Sequence, residues 1–147
     1  MRTTVVAIIL SLFSTGASYA GTPVRYDRLP EASRAFIGTN ITRTNPVEIE
    51  IDRDDTGARI YEVEFADGTE IEFDAKGDWI KYDAADGYSV PATLIPRHIS
   101  EYVTVNYPDR VIKQIKRSKN GYAIEITGDI DLYFTNQDPV PARPLLK

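Results

Sequence analysis

The sequence contains no cysteine, and it has one histidine, one tryptophan and one methionine among 147 residues. Without cysteine the chain has no disulfide, no thiolate metal site and no thiol for lipid attachment. The single histidine, His98, has no second histidine with which to form a metal set or a nucleophile–base pair, and we expect it on the surface. Stability must therefore come from a hydrophobic core.

Long apolar runs are also missing, except for one near the N-terminus. The segment Met1–Ala20 has a positive charge at Arg2, an apolar run over 5–13 and a small residue at its end, which is typical of a secretory signal peptide. The run is shorter than the roughly 20 residues that span a bilayer, although a retained anchor is the alternative. We expect cleavage after Ala20, and a periplasmic or secreted mature chain that is not inserted in a membrane.

Positive charge is the scarcer sign, because 17 Lys and Arg residues face 22 Asp and Glu residues and the net charge is −5. An acidic balance argues against nucleic acid or an anionic membrane surface as a partner. It fits a basic protein surface, a cation or simple solubility.

Two parts of the chain resemble one another. The pair Leu29-Pro30 recurs as Ile95-Pro96, and each pair introduces an apolar helical stripe. The strand-like run from Tyr61 to Phe65 recurs from Tyr122 to Ile126, with apolar residues at every second position. This duplication predicts an α+β fold that is a tandem repeat of a helix followed by an antiparallel β-meander. The predicted units are one domain over 21–147, repeats over about 28–83 and 94–138, and a proline-rich tail, Pro139–Lys147.

Strand alternation also predicts hairpin registers. A three-residue loop over 66–68, with Gly68 in the left-handed region, pairs Val63 with Ile71 and Tyr61 with Phe73. The same rule applied to a loop over 127–129 pairs Ile124 with Leu132 and Tyr122 with Phe134. In both hairpins the apolar residues then share one face of the sheet, and the polar residues share the other.

The strand and turn motifs of this chain resemble those of the PepSY-like family of exported bacterial proteins, which is similar in fold to the β-lactamase-inhibitor proteins. The motifs are the run Tyr61-Glu-Val-Glu-Phe, the turn Asp67-Gly68, the run Ile71-Glu-Phe-Asp74 and the run Gly77-Asp-Trp79. The resemblance covers about 29–138. It implies one sheet with both helices packed on one face and an open, slightly concave face on the other side. In the inhibitors that open side binds an enzyme. This chain lacks the cysteines of the inhibitors, and we assign none of its residues an inhibitory role from the resemblance.

The predicted register brings acidic side chains together on the open face, with Glu64 opposite Glu70 and Glu62 opposite Glu72. Like charges directly opposite one another are unfavourable by roughly 0.2–1 kcal/mol per pair, so a basic partner or a hard cation such as Ca²⁺ would relieve them. A solvated face that keeps the sheet soluble is the alternative reading. The candidate binding residues are Glu48, Glu62, Glu64, Glu70, Glu72, Trp79 and Tyr133.

Two candidates depend on local details. Trp79 points beside the acidic side chains if Ile80 and Tyr82 point inward, whereas a strand displaced by one residue would place Trp79 in the core. The segment 52–57 resembles a calcium loop, but its twelfth position is Val63, where a bidentate Glu is required, so we interpret it as a polar turn.

The sequence favours a binding protein over an enzyme. Catalysis by carboxylates needs them to converge in a water-poor pocket, whereas strand alternation spreads them over an open face. We therefore expect no catalytic residue, no metal site and no cofactor. The hypothesis is a non-enzymatic module, inhibitor-like or regulatory, that recognises a basic surface of another exported protein. The alternatives are a Ca²⁺-binding envelope protein and a carboxylate-dependent hydrolase.

Overall fold

The computed structural model describes residues 21–136, 138 and 141. The predicted signal peptide over 1–20 and most of the predicted tail over 139–147 lie outside the described residues. Within the described part of the chain, no helix is long and apolar enough to cross a membrane. The domain boundaries stay a prediction.

The described chain forms one eight-stranded antiparallel sheet whose strands lie side by side in sequence order. Two α-helices accompany the sheet, and a short 3-10 helix precedes each of them, at Tyr26–Arg28 and Ala92–Leu94. The helices are α1 (Glu31–Asn40) and α2 (Arg97–Asn106). The strands are β1 (Thr22–Pro23), β2 (Pro46–Arg53), β3 (Arg59–Phe65), β4 (Glu70–Asp74), β5 (Trp79–Asp83), β6 (Ile112–Ser118), β7 (Gly121–Ile126) and β8 (Ile130–Thr135).

The predicted tandem repeat of a helix and a meander, with both helices packed on one face, is wrong as a description of this fold. The structure is a single eight-stranded sheet with two helices, and strand β1 enters it before α1. Strands β5 and β6 also pair directly, with Tyr82 opposite Ile115, so the meander continues across the connection that contains α2. The duplicated segments reflect similar local patterns, because local spacing carries no information about pairing between distant strands.

Each helix begins after a proline and packs an aromatic ring on the sheet. Pro30 and Pro96 are the N-cap residues of α1 and α2, where their missing N–H removes no helical hydrogen bond. The Phe36 ring of α1 contacts the Phe73 ring edge-on, with 5.6 Å between ring centroids. The Tyr102 ring of α2 contacts the Phe134 ring in the same way at 5.5 Å. These contacts anchor both helices to the strands.

Both predicted hairpin registers are confirmed. Val63 lies opposite Ile71 in the first hairpin, and Ile124 lies opposite Leu132 in the second. Gly68 has a φ of 90°, a left-handed conformation that glycine adopts without steric strain. The polar and apolar faces of strands β3, β4, β7 and β8 therefore follow the sequence alternation.

The hydrophobic core runs across the sheet without interruption. One row of buried side chains crosses from β3 to β8, and Tyr82 and Ile115 at its centre are fully buried. Tyr82 joins the β4 side of the row to the β6 side, because it pairs with Ile71 as well as with Ile115. The full row is Val63, Ile71, Tyr82, Ile115, Ile124 and Leu132.

Candidate functional site

Two rows of mostly polar side chains cross the sheet on the opposite face from this core row, which we call the outer face. The first row begins with glutamates on β2, β3 and β4, continues with two lysines, and ends with a small residue and a tyrosine. The second row consists of acidic residues and one glutamine. The first row is Glu50, Glu62, Glu72, Lys81, Lys116, Ala123 and Tyr133. The second row is Glu48, Glu64, Glu70, Asp83, Gln114, Glu125 and Asp131.

The six glutamates at the β2 end of these rows form the acidic cluster, which consists of Glu48, Glu50, Glu62, Glu64, Glu70 and Glu72. They line a cleft of about 130 Å³. Binding pockets for small molecules usually measure about 300–1,000 Å³, so this cleft is small by comparison. The cluster includes all five glutamates that the sequence nominated, and the structure adds Glu50.

Mutual repulsion and burial perturb the acidic cluster. Burial is the largest cause that raises the pKa of Glu62, and the nearby charges of Glu72 and Asp52 raise it further. Burial is also the largest cause that raises the pKa of Glu70; the charge of Lys81 opposes this rise, and the charges of Asp83 and Glu64 add to it. A raised carboxyl pKa means that the charged form is disfavoured. An additional cation beside these carboxylates would therefore stabilise their charged form.

One lysine marks the boundary of the acidic cluster. The Lys81 Nζ lies 3.2 Å from Glu72 Oε1, and both side chains are largely shielded, with exposed fractions of 19% and 15%. Burial lowers the pKa of Lys81, but the ion pair with Glu72 and the charges of Asp83 and Glu70 together outweigh burial, so the pKa is raised overall. The Lys81 ammonium thus pairs with Glu72. It compensates only part of the repulsion that Glu62 and Glu70 experience from neighbouring carboxylates.

The other half of the outer face carries fewer acidic groups. Gln114 is 6% exposed, and its Nε2 donates a hydrogen bond to Asp83 Oδ2 at 2.7 Å. Burial raises the pKa of both Glu125 and Asp131, and the charge of Asp131 raises that of Glu125 further. The sequence pattern did not reveal the Asp83–Gln114 contact, because these residues lie on strands that a whole helix separates along the chain.

The two aromatic candidates lie on different sides of the sheet. Tyr133 is half-buried at the end of the first outer row. Trp79 instead packs against Phe36 of α1, with 6.3 Å between ring centroids, and the Arg117 guanidinium lies over the Trp79 ring, 4.5 Å from its centroid. A β-bulge between Glu72 and Phe73 places Trp79 opposite Phe73. This bulge turns Trp79 toward the helix, so Trp79 does not join the acidic cluster.

The remaining polar candidates show local roles. Asp54 Oδ1 accepts hydrogen bonds from the backbone N–H groups of Thr56 and Ala58, so this carboxylate closes the turn between β2 and β3. His98 is half-buried, and its ring meets the Phe134 ring edge-on at 6.0 Å. Over residues 21–136, 138 and 141, no group of three or more His, Cys, Asp or Glu side chains is arranged to hold a metal ion.

Three solved structures resemble this fold closely. A "putative periplasmic protein of unknown function" from Bacteroides vulgatus is 32% identical with a TM-score of 0.77, covering 84% of this chain and 97% of that chain. A "putative calcium-regulated periplasmic protein" from Bacteroides thetaiotaomicron is 29% identical with a TM-score of 0.76, covering 84% of this chain and 94% of the other. A second Bacteroides vulgatus protein, also described as periplasmic, is 28% identical with a TM-score of 0.74, covering 82% and 93%.

Among curated proteins, none matches this chain. A family model described as "beta-lactamase-inhibitor-like, PepSY-like" matches residues 59–140, from the start of β3 through β8. The matched segment includes Glu62, Glu64, Glu70 and Glu72 of the acidic cluster. This match spans more than half of the sequence, and it agrees with the resemblance that the strand and turn motifs indicate. The chain belongs to the PepSY-like family.

Proposed function

We propose that this chain is an exported, non-enzymatic binding protein that recognises a basic surface of another exported protein through the acidic cluster. The observation that carries the proposal is the set of glutamates held opposite one another on β2, β3 and β4. Each directly opposed pair is unfavourable by roughly 0.2–1 kcal/mol, and a lysine or arginine from a partner would convert this repulsion into charge-assisted hydrogen bonds. An inhibitor-like or regulatory role fits the description of the family.

The form of the site supports binding rather than catalysis. The glutamates line a cleft of about 130 Å³ on the outer face, and Glu48, Glu64 and Glu70 are exposed. Acid–base catalysis by a carboxylate pair needs one group raised in pKa and the other left ionised in a site that excludes water. Export is supported by the periplasmic descriptions of the structural relatives.

The test is a pull-down from an envelope extract with the mature protein as bait, at physiological ionic strength. The bait is compared with Glu62→Lys plus Glu70→Lys, which reverses the charge of two central members of the acidic cluster. A matched control, Asp86→Lys plus Asp109→Lys, changes the net charge equally at two exposed loop positions outside the outer-face rows. We expect a partner that the wild type and the control capture and that the cluster variant loses.

Two results would count against the proposal. If the cluster variant captures the same partner as the wild type, the acidic cluster is not the binding surface. If none of the three baits captures a partner, the protein does not act through stable protein binding. Circular dichroism of each variant shows that a loss of capture does not reflect unfolding.

A second candidate function is Ca²⁺ binding, which is favoured by the description of one structural relative as calcium-regulated. The six glutamates of the acidic cluster supply the oxygen ligands that Ca²⁺ prefers. This candidate stands second because no described group of acidic side chains already has a metal-binding arrangement.

Thermal unfolding with CaCl₂, compared with MgCl₂ at equal ionic strength, tests the calcium candidate. A ligand at 100 times its dissociation constant stabilises the folded state by about 2.7 kcal/mol. Stabilisation by Ca²⁺ alone, lost in Glu62→Gln plus Glu72→Gln, would support it. Equal curves in both salts would eliminate it.

A further inference from the structure

The first described residue, Gly21, lies against the edge of the acidic cluster. Its backbone nitrogen donates a hydrogen bond to Glu50 Oε2 at 3.2 Å. Strand β1 holds the nitrogen in place, because Thr22 pairs with Ile51 and the Val24 N–H donates to the Ile49 carbonyl at 2.9 Å. The residues that follow Gly21 pair with strand β2, and this pairing fixes the position of the Gly21 nitrogen.

Only a residue without a side chain fits at this position. A Cβ added to Gly21 would lie 2.9 Å from Glu50 Cβ and 3.0 Å from both Glu50 Oε2 and the Ile51 carbonyl oxygen. Two of these neighbours belong to the glutamate that accepts the hydrogen bond. The close approach brings the nitrogen within reach of the carboxylate, and a larger residue would push them apart.

We propose that cleavage after Ala20 converts the Gly21 nitrogen into a charged α-amino group that forms an ion pair with Glu50, so that the mature N-terminus is a built-in counter-ion of the acidic cluster. Hydrolysis of the Ala20–Gly21 peptide bond consumes one water, whose oxygen joins the Ala20 carbonyl carbon to form a carboxylate. The two hydrogens of that water join the Gly21 nitrogen, which becomes an ammonium. The proposal rests on the predicted cleavage site and not on the proposed partner binding.

The surroundings of the Gly21 nitrogen suit a cation better than a neutral amide. Glu50 accepts the hydrogen bond of this nitrogen through Oε2, and the Ile51 carbonyl oxygen also lies close to Gly21. Glu62 lies opposite Glu50 on β3. In the precursor these groups face an uncharged N–H. In the mature chain they face an ammonium, which offsets part of the repulsion between Glu50 and Glu62.

The first experiment identifies the mature N-terminus and the ionisation of its amine. N-terminal sequencing of the protein recovered from a periplasmic extract should give Gly21 as the first residue, and a different first residue overturns the proposal. NMR titration of the α-amino group should then give a pKa above the ordinary value of about 7.7–8.0. Glu50→Gln should return the pKa to that range, whereas Glu48→Gln, on the same strand, should leave it raised.

The second experiment measures the contribution of the ion pair to stability. Chains that begin at Gly21, prepared with a free or an acetylated α-amine, are compared in the wild type and in Glu50→Gln. Acetylation should lower the melting temperature of the wild type by about 1–4 °C, as expected for a partly exposed ion pair, and should not change that of Glu50→Gln. Equal effects of acetylation in both backgrounds, or equal effects of Glu48→Gln and Glu50→Gln on the amine pKa, overturn the proposal.

Discussion

The two ends of the outer face share one sheet and the same cross-strand rows but differ in chemistry. At the β2–β4 end every position in both rows is a glutamate, whereas the β6–β8 end carries Gln114, Lys116, Ala123, Glu125, Asp131 and Tyr133. Beneath both ends the core row is apolar and buried. Packing therefore determines one face of every strand, and the other face is free to differ. The concentration of glutamates at one end is the feature that suggests a function.

The largest expected effect tests whether the two ends share a single core. Phe73→Ala and Phe134→Ala each remove a buried ring that contacts a helix ring, and each should lower the free energy of unfolding by about 3–5 kcal/mol. Urea denaturation followed by circular dichroism and by tryptophan fluorescence measures the loss. Because Tyr82 joins the two sides of the core, both probes should give one coincident transition. Separate transitions would show that the ends fold independently.

The second effect concerns the boundary between the two ends. Lys81→Met should lower the free energy of unfolding at pH 7 by about 1–2 kcal/mol, because it leaves the shielded Glu72 carboxylate without its cation next to Glu62. Lys116→Met, at the neighbouring exposed position of the same row, is the matched control and should change stability by less than about 0.5 kcal/mol. Equal effects of the two changes would mean that the Lys81 pair contributes no more than a surface charge.

The third effect is a pH dependence that originates in the acidic cluster. Folding raises the pKa of Glu62, so this carboxyl binds its proton more strongly in the folded state. The free energy of unfolding therefore decreases as the pH rises from the pKa of an unfolded Glu, about 4.3, through the higher pKa of the folded state. Glu62→Gln should therefore stabilise the protein at pH 7 by about 0.2–1 kcal/mol, and the gain should disappear below pH 4. Urea denaturation at several pH values measures it, with the exposed Asp109→Asn as the control. A gain that is independent of pH would contradict the electrostatic explanation.

The sequence predicted what alternation and turn chemistry determine locally. The register of the β3–β4 hairpin, and with it the opposed pair Glu62 and Glu72, followed from the position of Gly68. The orientation of Trp79 did not follow, because a bulge shifts the register by one residue and alternation assumes that no residue is inserted. The burial of Gln114 did not follow from alternation either, because this residue comes directly after a bulge in β6 and lies buried next to Ile115.

Pairing between distant strands was the other limit of sequence reasoning. Strand β1 has two residues, too few for any periodic signal, yet it positions Gly21 against Glu50. The pairing of Lys81 with Lys116 joins strands on either side of α2, and its register depends on packing across the whole sheet. The tandem-repeat prediction failed for the same reason, because similarity between two segments does not specify how many strands each contributes or how they join.

The smallest effect compares a hydroxyl group on the outer face with one on the helix side of the sheet. Within the described part of the chain, the buried Tyr133 hydroxyl at the β8 end has no hydrogen-bond partner, whereas Ser33 Oγ of α1 donates to the Gly77 carbonyl at 3.2 Å. Tyr133→Phe should therefore change the free energy of unfolding by less than about 0.5 kcal/mol, or raise it slightly, while Ser33→Ala should lower it by about 1 kcal/mol. Urea denaturation of both variants measures the difference. A loss of 1 kcal/mol or more in Tyr133→Phe would mean that this hydroxyl is hydrogen-bonded in solution.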